Sequence, residues 1–192
     1  KVYIDGEVGS LEGVIFENWE KIEQVPVNAQ LLGAGMDFGF TNDPTTLIAA
    51  YRYNGKLIFD EVIYGKGLKN SDIARLSKGF RGMIYAESAE PKSIADLKAY
   101  KLKITGADKG ADSIRFGIGL LQEEPFYVTE RSVNLIEELR AYSWDKGKKG
   151  ETLSKPVDAF NHCIDAMRYF AMMVLKKKGN SVKVKIRKRK RK

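Results

Sequence analysis

Thr45-Thr-Leu-Ile-Ala-Ala-Tyr-Arg-Tyr53, Asn54-Gly55 and Lys56-Leu-Ile-Phe-Asp-Glu-Val-Ile-Tyr64 are the stretch that decides the fold. Both flanking runs are rich in β-branched and aromatic residues. Asn-Gly between such runs is a strong hairpin signal, because both turn residues tolerate positive φ. Upstream, Leu32-Gly-Ala-Gly-Met-Asp37-Phe-Gly39 reads as a strand ending near Asp37, with Gly39 able to turn sharply. Asn42-Asp43-Pro44 then marks the turn into the hairpin. The three runs predict an antiparallel meander with an acid at the end of its first strand.

Downstream the period changes. Asn70 to Lys78 reads as a helix with Ile73 and Leu76 inward. Gly82-Met-Ile-Tyr-Ala-Glu87 reads as a short buried strand ending in a second acid. Helices over 92–100, 109–121 and 132–140 alternate with short strands at 102–105 and 126–128. Tyr142 to Leu153, with Gly147 and Gly150, reads as a mobile loop or a hairpin. A meander followed by such alternation predicts an α/β fold, a mixed sheet with helices on both faces. Residues 1–31 read as an entry segment that Trp19, Ile22 and Val25 anchor to the body and Pro26 ends. The body runs over 32–178, and a basic tail occupies 179–192, where the alternation of Val182 to Ile186 suggests an edge strand.

Composition bounds the function. A chain of 192 residues is most simply one domain, and 43% hydrophobic residues argue against wholesale disorder. No apolar run reaches membrane-spanning length, no signal-peptide core is present, and the missing initiator Met suggests a fragment. The single cysteine, Cys163, excludes an internal disulfide and a multi-cysteine zinc site and fits a reducing compartment. The net charge of +8 lies in the tail: the last ten residues hold eight Lys or Arg and no acid. Removing those eight from 33 basic residues leaves 25, equal to the 25 acids. Such a tail suits salt-sensitive attraction to a polyanion or serves as a solubilising or localising end. Lys146, Lys148 and Lys149 in the loop, with Arg187 and Arg189 in the tail, are the candidate DNA contacts.

The last helical stretch, Val157-Asp-Ala-Phe-Asn-His162-Cys-Ile-Asp165-Ala-Met-Arg-Tyr-Phe170, carries the remaining chemistry. Phe160, Ile164, Met167, Ala171 and Val174 share one stripe, while Asp158, His162, Asp165 and Tyr169 share the opposite one. Met172 and Met173 make that second side apolar further along, so the helix is expected to be buried on both sides. Taken singly, each residue has a plain reading. Asp37 starts a turn, Glu87 is a strand-end acid and Asp165 pairs with Arg168 three residues on. His162 is a satisfied structural histidine, Asp158 caps the helix and Cys163 is a small buried hydrophobe. Taken jointly, Asp37 and Glu87 at neighbouring strand ends, with Asp165 laid across them, form a hard oxygen cluster suited to Mg²⁺ or Mn²⁺. Two such ions about 3.5–4 Å apart activate water and stabilise a leaving oxygen in phosphodiester hydrolysis. His162 then serves as a neighbour of the ligands, a proton shuttle or a ligand, with Asp158 and Asp43 as secondary candidates.

Three segments resemble one family. Gly35-Met-Asp37-Phe-Gly39 with Asn42-Asp-Pro-Thr45, Tyr85-Ala-Glu87-Ser-Ala-Glu-Pro-Lys-Ser-Ile94, and Asn161-His-Cys-Ile-Asp165-Ala-Met-Arg-Tyr169 are together similar to the nuclease domain of tailed-phage terminase large subunits. Gly13-Val-Ile-Phe-Glu-Asn-Trp19 extends the resemblance, which covers about residues 10–175. It implies a ribonuclease H-like fold and metal-dependent cutting of concatemeric double-stranded viral DNA during packaging in the host cytoplasm. It also implies Asp37, Glu87 and Asp165 as metal-binding acids and His162 as the active-site histidine. The middle acid is commonly Asp in this family, so Glu87 departs from the pattern by one methylene. The implied partners are DNA, the ATPase motor domain of the same subunit, a small terminase subunit and the portal. No G-x-x-x-x-G-K-[ST] sequence occurs, so no ATP-driven translocation is expected of this stretch. Competing readings are another ribonuclease H-like enzyme of resolvase or transposase type, a non-catalytic nucleic-acid-binding module, and an actin- or Hsp70-like ATP-binding fragment suggested by Asp37-Phe-Gly39-Phe-Thr41-Asn42.

Overall fold

The structure, a computed structural model, describes residues 13–176 apart from 109, 111, 148–151 and 160. Lys148, Lys149, Phe160, Arg187, Arg189 and the alternating stretch 182–186 lie outside the described residues. In chain order the elements are β1 (Trp19–Ile22), β2 (Gln30–Asp37), β3 (Thr45–Tyr53), β4 (Lys56–Gly65), α1 (Asn70–Leu76), β5 (Ile84–Ala86) and α2 (Pro91–Ala99). They continue with β6 (Ile104–Gly106), α3 (Ser113–Gln122), β7 (Phe126–Thr129), α4 (Val133–Ala141), β8 (Trp144–Lys146), β9 (Thr152–Pro156) and α5 (His162–Val174).

The expected meander forms. β2 pairs antiparallel with β3, and β3 with β4, around Asn54 and Gly55 at φ 48° and 79°. Both turn residues are left-handed, as a two-residue primed turn requires. β5 then joins the free side of β2 in parallel and β6 joins β5, while β7 pairs parallel with β4. The result is a seven-stranded mixed sheet in the order β1-β7-β4-β3-β2-β5-β6.

Side chains of one strand alternate between two cores. Leu47 points into the layer with Ile73 of α1 and Ile94 and Leu97 of α2. Ile48 points into the opposite layer with Ile118 of α3, Leu135 and Leu139 of α4, and Ile164 and Phe170 of α5. Helices therefore cover both faces, as the sequence pattern implies. In the second layer Phe59 sits edge-on to Phe126 and Phe170, with ring centroids 5.3 and 6.0 Å apart.

Two local readings are refined. Trp19 does pack against the core, but Trp19–Ile22 also forms a sheet strand, paired parallel with β7 in the register Trp19↔Phe126. Of the two readings of the 142–153 stretch, its described residues favour the hairpin, with β8 antiparallel to β9.

Candidate active site

Parallel pairing of β2 with β5 in the register Met36↔Ala86 sets Asp37 and Glu87 side by side as the chain leaves the two strands. The Glu87 N–H donates to the Met36 carbonyl at 3.1 Å and locks that alignment. Asp37 shares the face of Gly35, two residues before it, and Gly35 faces α5. A Cβ built on Gly35 would lie 1.6 Å from the Ala166 carbonyl oxygen, so the α5 backbone rests directly on β2. Only glycine permits that approach. This is the physical meaning of a mid-strand glycine that the sequence pattern alone left unassigned.

The close crossing brings the first turn of α5 over Asp37. His162 Nδ1 lies 3.2 Å from Asp37 Oδ2, and its Nε2 lies 3.6 Å from Asp43 Oδ1. The Thr46 hydroxyl on β3 donates to the His162 carbonyl at 3.0 Å, which pins the helix start to the sheet. One turn on, Asp165 Oδ1 accepts from both Nε and Nη2 of Arg168, at 3.0 and 2.7 Å. The i+3 pair expected from the sequence forms, and it is buried on the Arg168 side. Arg168 is 3% exposed, its Nη1 donates to the Ser113 carbonyl, and Gly117 of α3 gives its stem room.

The charges of Asp165 and Glu87 both act on Asp37. Burial is the main cause that pushes Asp37 from 3.8 up to about 6. The His162 hydrogen bond pulls it back down, while the charges of Asp165 and Glu87 raise it further. Tyr169 is raised too, first by burial and then by Asp37, Asp165 and Glu87. His162 is raised chiefly by its hydrogen bond to Asp37, against the opposing effect of burial. Among the described residues no three His, Cys, Asp or Glu side chains already close up into a cation cage. The donor chemistry nonetheless suits hard divalent cations: two carboxylates in strand register, a third on the helix above them, and one of them destabilised in its charged form.

The structure thus brings Asp37, Glu87, Asp165, His162 and Asp43 together. Asp158 is not the helix cap. α5 begins at His162 behind Asn161, and Asp158 only accepts a 3.5 Å contact from Asn161 Nδ2. The cap comes from a residue that sequence reasoning passed over. Glu138 Oε2 on α4 accepts the N–H groups of Cys163 and Ile164 at 2.7 and 3.2 Å. Burial pushes Glu138 up to about 7 despite those two donors. Its signal was available: an acid set among Leu135, Ile136 and Leu139 on the buried side of an amphipathic helix. Cys163 is buried, as expected of a small hydrophobe. Lys146 is exposed on β8. Beside Asp37 a cleft of about 580 Å³ opens between the 38–43 loop, Lys69, Asn70 and the start of α2.

Comparison with known proteins agrees with this geometry. Residues 37–172 match the family described as the terminase RNase H-like domain. The large terminase subunit of Bacillus phage SPP1 is 32% identical over 195 residues, covering 94% of this chain and 46% of that protein. The chain therefore spans about half the length of that curated relative. The crystal structure of the SPP1 large-terminase nuclease domain with bound Mn superposes with a TM-score of 0.70 at 26% identity, covering 81% of this chain and 96% of that one. The large-terminase nuclease of thermophilic phage G20c, solved with bound magnesium, shares the fold at a TM-score of 0.60 and 14% identity, covering 84% and 97% of the two chains. With its ribonuclease H-like sheet and a family match over most of its length, the chain belongs to the nuclease domains of terminase large subunits.

Proposed function

We propose that this domain is a divalent-metal-dependent endonuclease that cuts concatemeric double-stranded viral DNA during genome packaging. The observation that carries the proposal is the convergence of Asp37 and Glu87, at the adjoining ends of the parallel strands β2 and β5, under the helix start that bears His162 and Asp165. Asp37, Glu87 and Asp165 would hold Mg²⁺ or Mn²⁺, as a pair of ions in the sense of the two-ion nucleases, and the relative solved with Mn supports that choice of metal. Bound there, the ions would supply Lewis acidity and an activated water for phosphodiester hydrolysis.

The chain's own residues prepare that site. Asp37 is uneasy as a buried anion, so a cation paired with it would offset the burial cost, and metal binding there would displace a proton. Arg168 fixes one oxygen of Asp165 and so sets the direction of its carboxylate. His162, held between Asp37 and Asp43, is placed to take or give a proton at the edge of the acidic cluster. Asp43 and Asp158 are at most outlying ligands. Lys146, with Lys148, Lys149, Arg187 and Arg189, would add contacts to the phosphate backbone without reading sequence.

The full-length protein's motor domain, small terminase subunit and portal are the proposed partners, in the host cytoplasm. Among the described residues no helix is long and apolar enough to cross a membrane. The test is relaxation of supercoiled plasmid with Mn²⁺, Mg²⁺ or EDTA, using wild type, Asp37→Asn and Asp165→Asn. Cutting is expected with metal in wild type alone. Cutting that survives EDTA, or persists in both folded variants, would defeat the reading.

A further inference from the structure

Glu138 lies outside the acidic cluster, yet it is only 3% exposed. A carboxylate is expensive to bury, and Leu or Met would fill the same space among Leu135, Ile136 and Leu139 at lower cost. Its Oε2 takes the second and third N–H groups of α5, those of Cys163 and Ile164. Its Oε1 is buried without a hydrogen-bond partner among the described residues. The usual local solution is missing at this helix start, because Asn161 makes no side-chain cap hydrogen bond. The orphan donors are instead satisfied from 25 residues earlier in the chain, on another helix.

That clamp is itself anchored. Glu61 of β4 accepts from the Leu135 N–H at 2.9 Å and from Asn134 Nδ2 at 2.7 Å, tying the start of α4 to the sheet. Two carboxylates in series therefore link β4 to α4 and α4 to α5. The turn held at the end of the series contains His162 and Asp165. We infer that Glu138 is a positioning residue for the nuclease reaction, clamping the first turn of α5 so that His162 and Asp165 stand against Asp37 and Glu87. The inference rests on the nuclease reading above. It adds a residue that touches none of the three acids and acts through backbone donors. A displacement of about 1 Å at a reacting group is enough to lower turnover a hundredfold.

The test compares wild type with Glu138→Leu, Glu138→Gln and Glu138→Asp, each below its melting temperature. Two readouts are used: the kcat and KM for plasmid nicking, and Mn²⁺ titration followed by paramagnetic broadening of the His162 ring signals. His162 is the only histidine in the chain, so its resonances need no assignment. Glu138→Leu is expected to raise the Mn²⁺ midpoint and lower kcat, each by about 10–100-fold, with KM for DNA nearly unchanged. Glu138→Gln keeps an acceptor oxygen and is expected within about threefold of wild type. A folded Glu138→Leu with wild-type kcat and Mn²⁺ midpoint would overturn the inference. So would Glu138→Gln falling as far as Glu138→Leu, since the acceptor would then not matter. If Glu138→Leu fails to fold, Glu138→Asp decides: a retracted clamp must lower kcat in a folded protein, and wild-type turnover would refute the clamp. A wild type that neither nicks DNA nor shows Mn²⁺ broadening would instead bring down the nuclease reading, and this inference with it.

Discussion

Asp37→Asn should make the metal-free domain more stable while removing its response to metal. Asp37 is 7% exposed, and its carboxyl is pushed from 3.8 to about 6, mainly by burial and further by Asp165 and Glu87. The folded state then binds this proton more tightly than the unfolded state. The contribution is fully present below pH 3.8 and is lost as pH rises through about 6. A shift of about two units corresponds to about 3 kcal/mol of ionisation penalty carried by the native state at pH 8. Asn cannot ionise, so the variant escapes that penalty. In EDTA the stability difference between Asp37→Asn and wild type should grow by about 3 kcal/mol between pH 4 and pH 8. For a domain of this size that is about 6–12 °C in melting temperature. Saturating Mn²⁺ should reverse the order, since a ligand at a thousand times its Kd adds about 4.1 kcal/mol to wild type and little to the variant. Thermal melts over pH 4–8, with EDTA and with Mn²⁺, measure both effects. A difference that stays flat across that range, or an Asp37→Asn protein stabilised by Mn²⁺ as much as wild type, would refute the reasoning.

Three further outcomes follow from particular contacts. Gly35→Ala puts a methyl into the Ala166 carbonyl, where backbone rather than a flexible side chain must give way. It should cost at least the upper end of about 1–3 kcal/mol and abolish nicking, as chemical denaturation and plasmid assays would show. Arg168→Met leaves Asp165 without its guanidinium partner, so the folded variant should lose kcat with little change in KM for DNA. Gly117→Ala, which crowds the Arg168 stem at 3.0–3.3 Å, should do the same more mildly. Deleting residues 182–192 removes eight basic side chains and should flatten the salt dependence of DNA binding, read as the slope of log K against log salt.

The meander was legible because its information is local: one Asn-Gly turn fixes the pairing of β3 with β4, and Asp37 follows from the strand before it. Glu87 was legible as a strand end for the same reason. What the sequence hid was set by long-range packing. β1 is four residues long and finds its partner β7 more than a hundred residues away, so its short alternation carries little signal. The start of α5 invited a cap from Asp158, four residues before it, but the cap comes from Glu138 on α4. The i+3 spacing showed that Arg168 pairs with Asp165, but not that packing against α3 buries the guanidinium. The role of Gly35 likewise emerges only when α5 lies on β2.

The claim at the centre of this account is that β2, β5 and α5 deliver Asp37, Glu87 and Asp165 to one cation site. Anomalous diffraction from crystals soaked in Mn²⁺ tests it most directly. The account predicts Mn peaks within coordination distance of those carboxylates, about 2.0–2.3 Å from their oxygens, and their loss in Asp37→Asn crystals. Peaks elsewhere, with the three carboxylates left uncoordinated at saturating Mn²⁺, would contradict it.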